Sequence, residues 1–228
     1  MDFPVNLIAE KRAIRLVPTA RLRDPVLRKL VQDAAVLADL AEIESATSGR
    51  LVAQDRGVGD IDRREFVAGV PHEHFINAAF SYWRPGEMNR FNGPSRGAWY
   101  AALELETSLA EVGYHMTREL ERVGNFNAVV DYSEMYASFA GEFVDLRGLT
   151  PVPACLHPDP AIGYPQGNLL ADEARTRGYN GVVYPSCRRA EGTCLVALRP
   201  QAVQSVAQGQ VLRLAWAGSR EFKITQAG

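Results

Sequence analysis

Residues 90–112, with the sequence RFNGPSRGAWYAALELETSLAEV, decide the fold because they deliver a cation, an aromatic ring and a carboxylate in quick succession. The segment that ends in Tyr100 has the pattern of a short strand, and apolar side chains recur at helical spacing around Glu111. A strand followed directly by a helix brings Arg90, Tyr100 and Glu111 towards one cleft. We therefore predict that this part of the chain forms the wall of a functional site.

Predicted strands and helices follow one another along the chain without the steady βαβ order of a parallel doubly wound sheet. The first strand ends at Pro18, and the first helix begins with Asp24 as N-cap and Pro25. We predict strands at residues 11–17, 97–102, 127–132, 142–146, 181–184, 193–199, 210–216 and 221–225. We predict helices at 25–46, 62–67, 74–80, 106–122 and 168–177, and a proline-rich loop at 150–167. The order of these elements predicts a single α+β domain over residues 1–228.

The composition narrows the class of protein. A net charge of −2 and a pI of about 6.1 exclude a broad basic surface for nucleic-acid phosphates. The cysteines at 155, 187 and 194 have neither metal-site nor disulfide-framework spacing, which suits a reducing cytosol. No segment approaches the roughly 18 apolar residues of a membrane span. We expect a cytoplasmic protein that contacts neither nucleic acid nor membrane directly.

Two arginines are candidates for binding an anion. Arg90 precedes the turn-like Asn92-Gly93-Pro94, where loops commonly build sites, and its planar guanidinium fits a diphosphate. The alternative is a surface arginine that pairs with a nearby carboxylate. Arg15 lies within an apolar strand, so its side chain either faces solvent by alternation or is drawn inward towards an anion.

Tyr100 and Glu111 each have a functional and a structural interpretation. Tyr100 either stacks on a flat heterocycle such as nicotinamide or is a half-buried core aromatic. Glu111 shares a helix face with Tyr114 and His115, and this face can line a cleft. There the carboxylate can stabilise an oxocarbenium-like ribose. The segment Ser108-Leu109-Ala110-Glu111 also fits a capping box, in which the glutamate only reaches back to the start of the helix.

Ser186 follows a predicted buried strand, where its hydroxyl either bonds a ligand or stabilises a turn. It lacks a surrounding Gly-x-Ser-x-Gly motif, so an activated serine nucleophile is not predicted. His72-Glu73-His74 does not have the spacing of a zinc hydrolase, and the sequence places no third ligand. We therefore predict no metal site.

Five segments match a known family in their order and spacing. They are IRLVP at 14–18, NRFNG at 89–93, GAWY at 97–100, ETSLAEVGYH at 106–115 and GYNGVVYPS at 178–186. Together they resemble the RES domain family, which is named for an arginine, a glutamate and a serine. On this resemblance Arg90, Glu111 and Ser186 correspond to the three name-giving residues, and Arg15 and Tyr100 to further pocket residues.

The resemblance implies a fold and a reaction. Family members are commonly toxins of bacterial RES-Xre toxin-antitoxin pairs, and they look like ADP-ribosyltransferases, with split antiparallel sheets surrounded by helices. The implied activity cleaves the nicotinamide glycosidic bond of NAD, the substrate, and transfers ADP-ribose to a protein, to water or to phosphate, with no metal. In the implied roles Arg15 and Arg90 hold the diphosphate and Tyr100 stacks near nicotinamide. Glu111 stabilises the ribosyl cation and Ser186 orients the ligand.

The implied partner is an Xre-like helix-turn-helix antitoxin that covers the active site, so DNA contact belongs to the partner. Two features depart from the family pattern. Leu16 stands where some members carry an aromatic, and residues 18–89 form a helical insertion that compact relatives lack. A second hypothesis is a non-catalytic module that binds a partner through the apolar helix at 25–46.

Overall fold

Seven strands and three helices make up the computed structural model, which describes residues 3–22, 61–81 and 88–227. The strands are β1 (Val5–Pro18), β2 (Trp99–Ala102), β3 (Asn127–Asp145), β4 (Gly181–Pro185), β5 (Thr193–Ala197), β6 (Gln204–Ala217) and β7 (Phe222–Gln226). The helices are α1 (Glu73–Ser81), α2 (Leu105–Val123) and α3 (Pro160–Thr176). The α+β prediction is confirmed. The helix predicted at 25–46 lies outside the described residues.

The described strands form one sheet that closes on itself. Strand β1 pairs with both β2 and β3, so β1, β2, β5, β4 and β3 make a ring, and β6 and β7 extend from β3. All neighbours are antiparallel except β3 and β4. Strands β1 and β2 are paired at Ile14 and Ala102 alone, whereas β1 and β3 pair along most of their length. The described strands therefore form one connected sheet rather than the split antiparallel sheets that the resemblance implies.

Strand β3 is a single element where the sequence predicts two. It runs for 19 residues and pairs with β1 on one side and β6 on the other. Register shifts between Ser133 and Met135, and again between Tyr136 and Ser138, mark bulges opposite β6. Ser133 and Glu134 are buried polar residues at the first bulge, and they interrupt the apolar alternation on which the prediction relied.

Helix α2 ends as predicted, and α3 begins earlier than predicted. Gly124 adopts a left-handed conformation (φ 73°) after α2. Helix α3 begins at Pro160, inside the predicted loop, because Asp159 accepts a 2.9 Å hydrogen bond from the backbone N–H of Ala161 and Pro160 occupies the first helical position. Pro165 is accommodated within the helix. The proline content of this segment therefore concealed a helix start.

The helices cover different parts of the sheet. Helix α1, predicted at 74–80, packs through Ile76 and Phe80 against the face of β2 that carries Trp99. Helix α3 packs on the opposite face, and Leu170 lies in the same core as Tyr184. Helix α2 packs through a third cluster against β1, β3 and β6. None of the described helices is both long and apolar enough to cross a lipid bilayer.

Candidate active site

Glu111 and Ser186 are in direct contact. Glu111 lies in the second turn of α2, and Ser186 is the first residue after β4. The hydroxyl of Ser186 donates a 2.7 Å hydrogen bond to Oε1 of Glu111. The Ser186 hydroxyl oxygen itself accepts hydrogen bonds from the backbone N–H groups of Arg188 (3.0 Å) and Arg189 (3.1 Å). Because the hydroxyl has a single proton, these bonds commit that proton to the carboxylate.

The capping interpretation of Glu111 is wrong. Helix α2 begins at Leu105, four residues earlier than a capping serine at 108 requires, and its N-cap residue is Glu104. Ser108 lies inside the helix, and its hydroxyl donates a 2.7 Å hydrogen bond to the carbonyl oxygen of Ile14 on β1. Glu111 is therefore too far along the helix to bond its start, and its carboxylate faces the loop after β4 instead.

Arg90 is buried, with 7% of its surface exposed, so the interpretation as a surface arginine is also wrong. Its Nη1 donates to the carbonyl oxygens of Cys155 (2.6 Å) and His157 (3.0 Å), and its guanidinium lies 5.4 Å from the ring centre of Tyr164. No carboxylate among the described residues lies within ion-pair distance of this guanidinium. Arg90 is therefore a buried cation held by carbonyl groups.

Tyr100 fixes the loop that carries Arg90. Its hydroxyl accepts a 2.9 Å hydrogen bond from the backbone N–H of Phe91 and donates one of 2.9 Å to Oδ1 of Asn92. Burial raises the pKa of this hydroxyl, while the nearby cations Arg90 and Arg15 act in the opposite direction. The phenol thus lies within electrostatic reach of both arginines. Its stacking on nicotinamide stays a prediction.

Arg15 lies at the divergence of β1 and β2. Its Nη1 is 3.5 Å from the carbonyl oxygens of both Ala98 and Tyr100, and its guanidinium is 5.0 Å from the ring centre of Trp99. Trp99 belongs to the core that α1 covers. Arg15 therefore sits beside β2, whereas the Arg90 guanidinium is held at the segment before α3.

The sequence interpretation missed most of a cluster of aromatic and basic side chains beside Glu111. The guanidinium of Arg188 lies 3.5 Å above the ring centre of Tyr114, and Arg118 lies 5.7 Å from the same ring. Tyr114 and Arg118 follow Glu111 at helical spacing, which was the available signal. No periodic sequence pattern marks Arg188, because a turn after β4 sets its position.

The cluster is electrostatically positive. Burial raises the pKa of the Tyr164 hydroxyl, whereas Arg90, Arg188 and Arg118 all favour its ionised form. Burial likewise raises the pKa of the Cys187 thiol, on which both Arg90 and Glu111 act. Arg90 and Glu111 therefore both lie within electrostatic reach of Cys187, which is not an activated thiolate.

Metal ligands are not grouped in the described part of the chain, where no set of three or more His, Cys, Asp or Glu side chains is placed to hold an ion. His72 and His74 lie at the start of α1, where the His72 ring stacks on Phe75 at 5.9 Å.

Comparison with known proteins places the chain in a described family. A protein-family model for the RES domain matches residues 66–217, which are 152 of the 228 residues. The matched span includes Arg90, Tyr100, Glu111 and Ser186 and excludes Arg15. No curated protein matches the chain.

Proposed function

The chain belongs to the RES domain family, which is associated with NAD-related toxins, and from that premise we propose that it cleaves the bond between nicotinamide and ribose in NAD. The observation that carries this proposal is the Glu111 carboxylate held by Ser186, together with the buried cation Arg90, whose charge acts on the same Cys187 thiol as that of Glu111. A fixed anion next to an anion-binding group is suited to a substrate in which a diphosphate lies close to a carbon that becomes positive.

Glu111 supplies the charge that the reaction needs. When nicotinamide leaves with the electrons of the glycosidic bond, the C1′ atom of ribose becomes oxocarbenium-like. Oε1 of Glu111 accepts from Ser186, whereas Oε2 accepts no hydrogen bond from the described residues. Oε2 is therefore available to a ribose hydroxyl, through which the carboxylate stabilises the positive charge as it forms.

Ser186 keeps that carboxylate in position, and Arg90 binds the diphosphate. The hydroxyl of Ser186 cannot act as a nucleophile in this arrangement, because its proton and both lone pairs are committed. Arg90 uses Nη1 for backbone carbonyls and retains its other N–H donors for phosphate oxygens. Positioning and electrostatics then suffice, without a metal or a covalent enzyme intermediate.

An acceptor completes the reaction by forming a bond to C1′ and losing a proton. We propose that ADP-ribose passes to a protein side chain, to water or to phosphate, the three outcomes that share this first step. As a toxin the protein requires restraint, and we propose an Xre-like helix-turn-helix antitoxin that covers the cleft. Copurification of the two proteins, with loss of NAD cleavage in the complex, tests that partner.

Release of nicotinamide from NAD by the pure protein tests the reaction. Free ADP-ribose as the product indicates transfer to water, a phosphorylated product indicates transfer to phosphate, and adenylate label on a protein band indicates protein modification. Absence of nicotinamide release with and without acceptors contradicts the proposal. The alternative of a binding module that uses residues 25–46 then gains support if a partner copurifies through that segment.

A further inference from the structure

Two arginines from distant parts of the chain are held by the same short segment, residues 155–158. Arg90 donates to the carbonyl oxygens of Cys155 and His157, and Arg188 donates through Nη2 to the carbonyl oxygen of Pro158 at 3.1 Å. The carbonyls of His157 and Pro158 belong to consecutive residues. The segment therefore holds both guanidinium groups at the residues that precede α3.

Arg188 is fixed at three points. Its backbone N–H donates to Ser186, its guanidinium lies 3.5 Å above the ring centre of Tyr114, and its Nη2 reaches Pro158. The contact with Tyr114 is a cation–π interaction with an aromatic side chain one turn beyond Glu111. These contacts connect the loop after β4, helix α2 and the segment before α3.

The arginines of this cluster lack an ion-pair partner in the part of the chain that the structure describes. Within the described residues, neither Arg90 nor Arg188 has a carboxylate at ion-pair distance, and Arg118 has none either. The remaining guanidinium nitrogens of Arg90 and Arg188 form no hydrogen bonds there, yet they are not sealed from solvent. Partly buried cations without a counterion are unfavourable, and an anionic ligand removes that cost.

We infer that Arg188 and Arg90 form one diphosphate clamp, in which each guanidinium binds one phosphate group while the 155–158 segment sets their spacing. The inference rests on the proposed NAD cleavage and specifies which residues hold its substrate. Two guanidinium groups held by one short segment match the two phosphates of a dinucleotide in number, and each offers a bidentate pair of donors. Arg15 is not part of this clamp, because its guanidinium contacts carbonyls of Ala98 and Tyr100 rather than the 155–158 segment.

Tyr114 acts as a positioning residue for the clamp. Its ring supports the guanidinium of Arg188 and restricts its freedom, so less conformational entropy is lost when a phosphate binds. Tyr114→Phe keeps this support, and Tyr114→Leu removes it. The first variant therefore retains the affinity of the wild-type protein for a diphosphate, and the second loses part of it.

Binding of ADP-ribose and of inorganic pyrophosphate, measured by titration calorimetry, tests the clamp without any reaction. We expect Arg188→Ala to raise the dissociation constant of both probes about 10- to 100-fold, because a charge-assisted bidentate contact is lost. We expect the dissociation constants of Arg188→Lys to lie between those of the wild-type protein and Arg188→Ala, since lysine keeps the positive charge but loses the planar pair of donors. The control is Arg122→Ala, which removes an exposed arginine at the far end of α2 that pairs with Glu119.

Steady-state kinetics separates binding from chemistry, and Arg188→Ala is expected to raise KM for NAD more than it lowers kcat. The variant Arg188→Gln keeps the aliphatic stem of the side chain but loses the charge. Thermal unfolding of every variant shows whether weaker binding reflects a lost contact or a damaged fold. The clamp is contradicted if Arg188→Ala binds ADP-ribose and pyrophosphate as tightly as Arg122→Ala does. It is also contradicted if the wild-type protein binds neither probe. Binding that depends on Arg188 without nicotinamide release supports the clamp and contradicts the proposed NAD cleavage.

Discussion

The hydroxyl of Ser186 lies 2.7 Å from Oε1 of Glu111, although 75 residues separate the two in the chain. This bond ties helix α2 to the loop after β4. Because the same hydroxyl also accepts the N–H groups of Arg188 and Arg189, one side chain fixes both the carboxylate and the backbone that carries Arg188. The orientation of the proposed catalytic anion therefore depends on a residue that does not react.

Glu111→Gln tests the role of the carboxylate. The amide retains the shape of the side chain but not its charge, so we expect nicotinamide release to fall by about 100-fold or more, the scale of a lost transition-state interaction. Glu106→Gln is the matched control, because Glu106 is an exposed glutamate at the start of the same helix. Equal rates in Glu111→Gln and the wild-type protein contradict the assignment.

Ser186→Ala removes one donor and one acceptor at the same point. Two backbone N–H groups lose their partner and Glu111 loses its anchor, so we expect nicotinamide release to fall about 10-fold and the free energy of unfolding to drop by about 1–3 kcal/mol. Ser186→Thr retains a hydroxyl, and the exposed Ser219→Ala serves as control. If Ser186→Ala keeps both activity and stability, its hydroxyl neither fixes the loop nor orients the carboxylate.

Helix α2 and strand β4 were predictable because local signals agreed. Apolar spacing gave the helix and Gly124 gave its end, and an apolar run after Gly178 gave the strand. The continuity of β3 and the early start of α3 could not be predicted from such local signals. In β3 a bulge with buried polar residues breaks the alternation, and in α3 the prolines that suggest a loop are compatible with the first turns of a helix.

The candidate site was only partly predictable for a related reason. Local sequence gave the types of residue at 90, 111 and 186, but their roles depend on contacts across the fold. Glu111 fits a capping box by spacing, and only the true start of α2 excludes it. Arg188 carries no periodic signal, because its place is set by a turn around the Ser186 hydroxyl and by the ring of Tyr114.

Tyr100→Phe separates two roles of this tyrosine. The variant keeps the ring for stacking but leaves the Phe91 N–H and the Asn92 side chain without their partner. We expect the free energy of unfolding to fall by about 1–3 kcal/mol, and the affinity for NAD to fall with it, because the Arg90 loop is released. Chemical denaturation and nicotinamide release measure the two effects. Unchanged stability and activity would show that stacking alone matters.

The ionised Asp145 carboxylate stabilises the fold, so we expect the free energy of unfolding to fall in acid. The hydrogen bonds from the Arg147 side chain, with further ones from Asn6 and the Arg147 backbone, outweigh burial and lower the pKa of Asp145 from 3.8 to about 2. A carboxylate with a lowered folded pKa stabilises the fold above its unfolded pKa, and this contribution disappears as the pH falls from about 4 to 2. The shift corresponds to at most about 2.5 kcal/mol. Unfolding between pH 5 and 2 should therefore be less pH-dependent in Asp145→Asn than in the exposed control Asp172→Asn.

Gly167→Ala tests whether α3 positions Arg90. A Cβ at this buried position would lie 2.0 Å from the carbonyl oxygen of Arg90, which is far inside van der Waals contact. Alanine favours a helix over glycine by up to about 1 kcal/mol, but overpacking against a backbone atom costs about 1–3 kcal/mol, so the clash dominates. We expect lower stability and weaker ADP-ribose binding, measured by thermal unfolding and calorimetry. Gln166→Ala, at the exposed neighbouring position, should change neither. If Gly167→Ala binds ADP-ribose as tightly as that control, the close packing of α3 on the Arg90 backbone is not what holds the clamp in place.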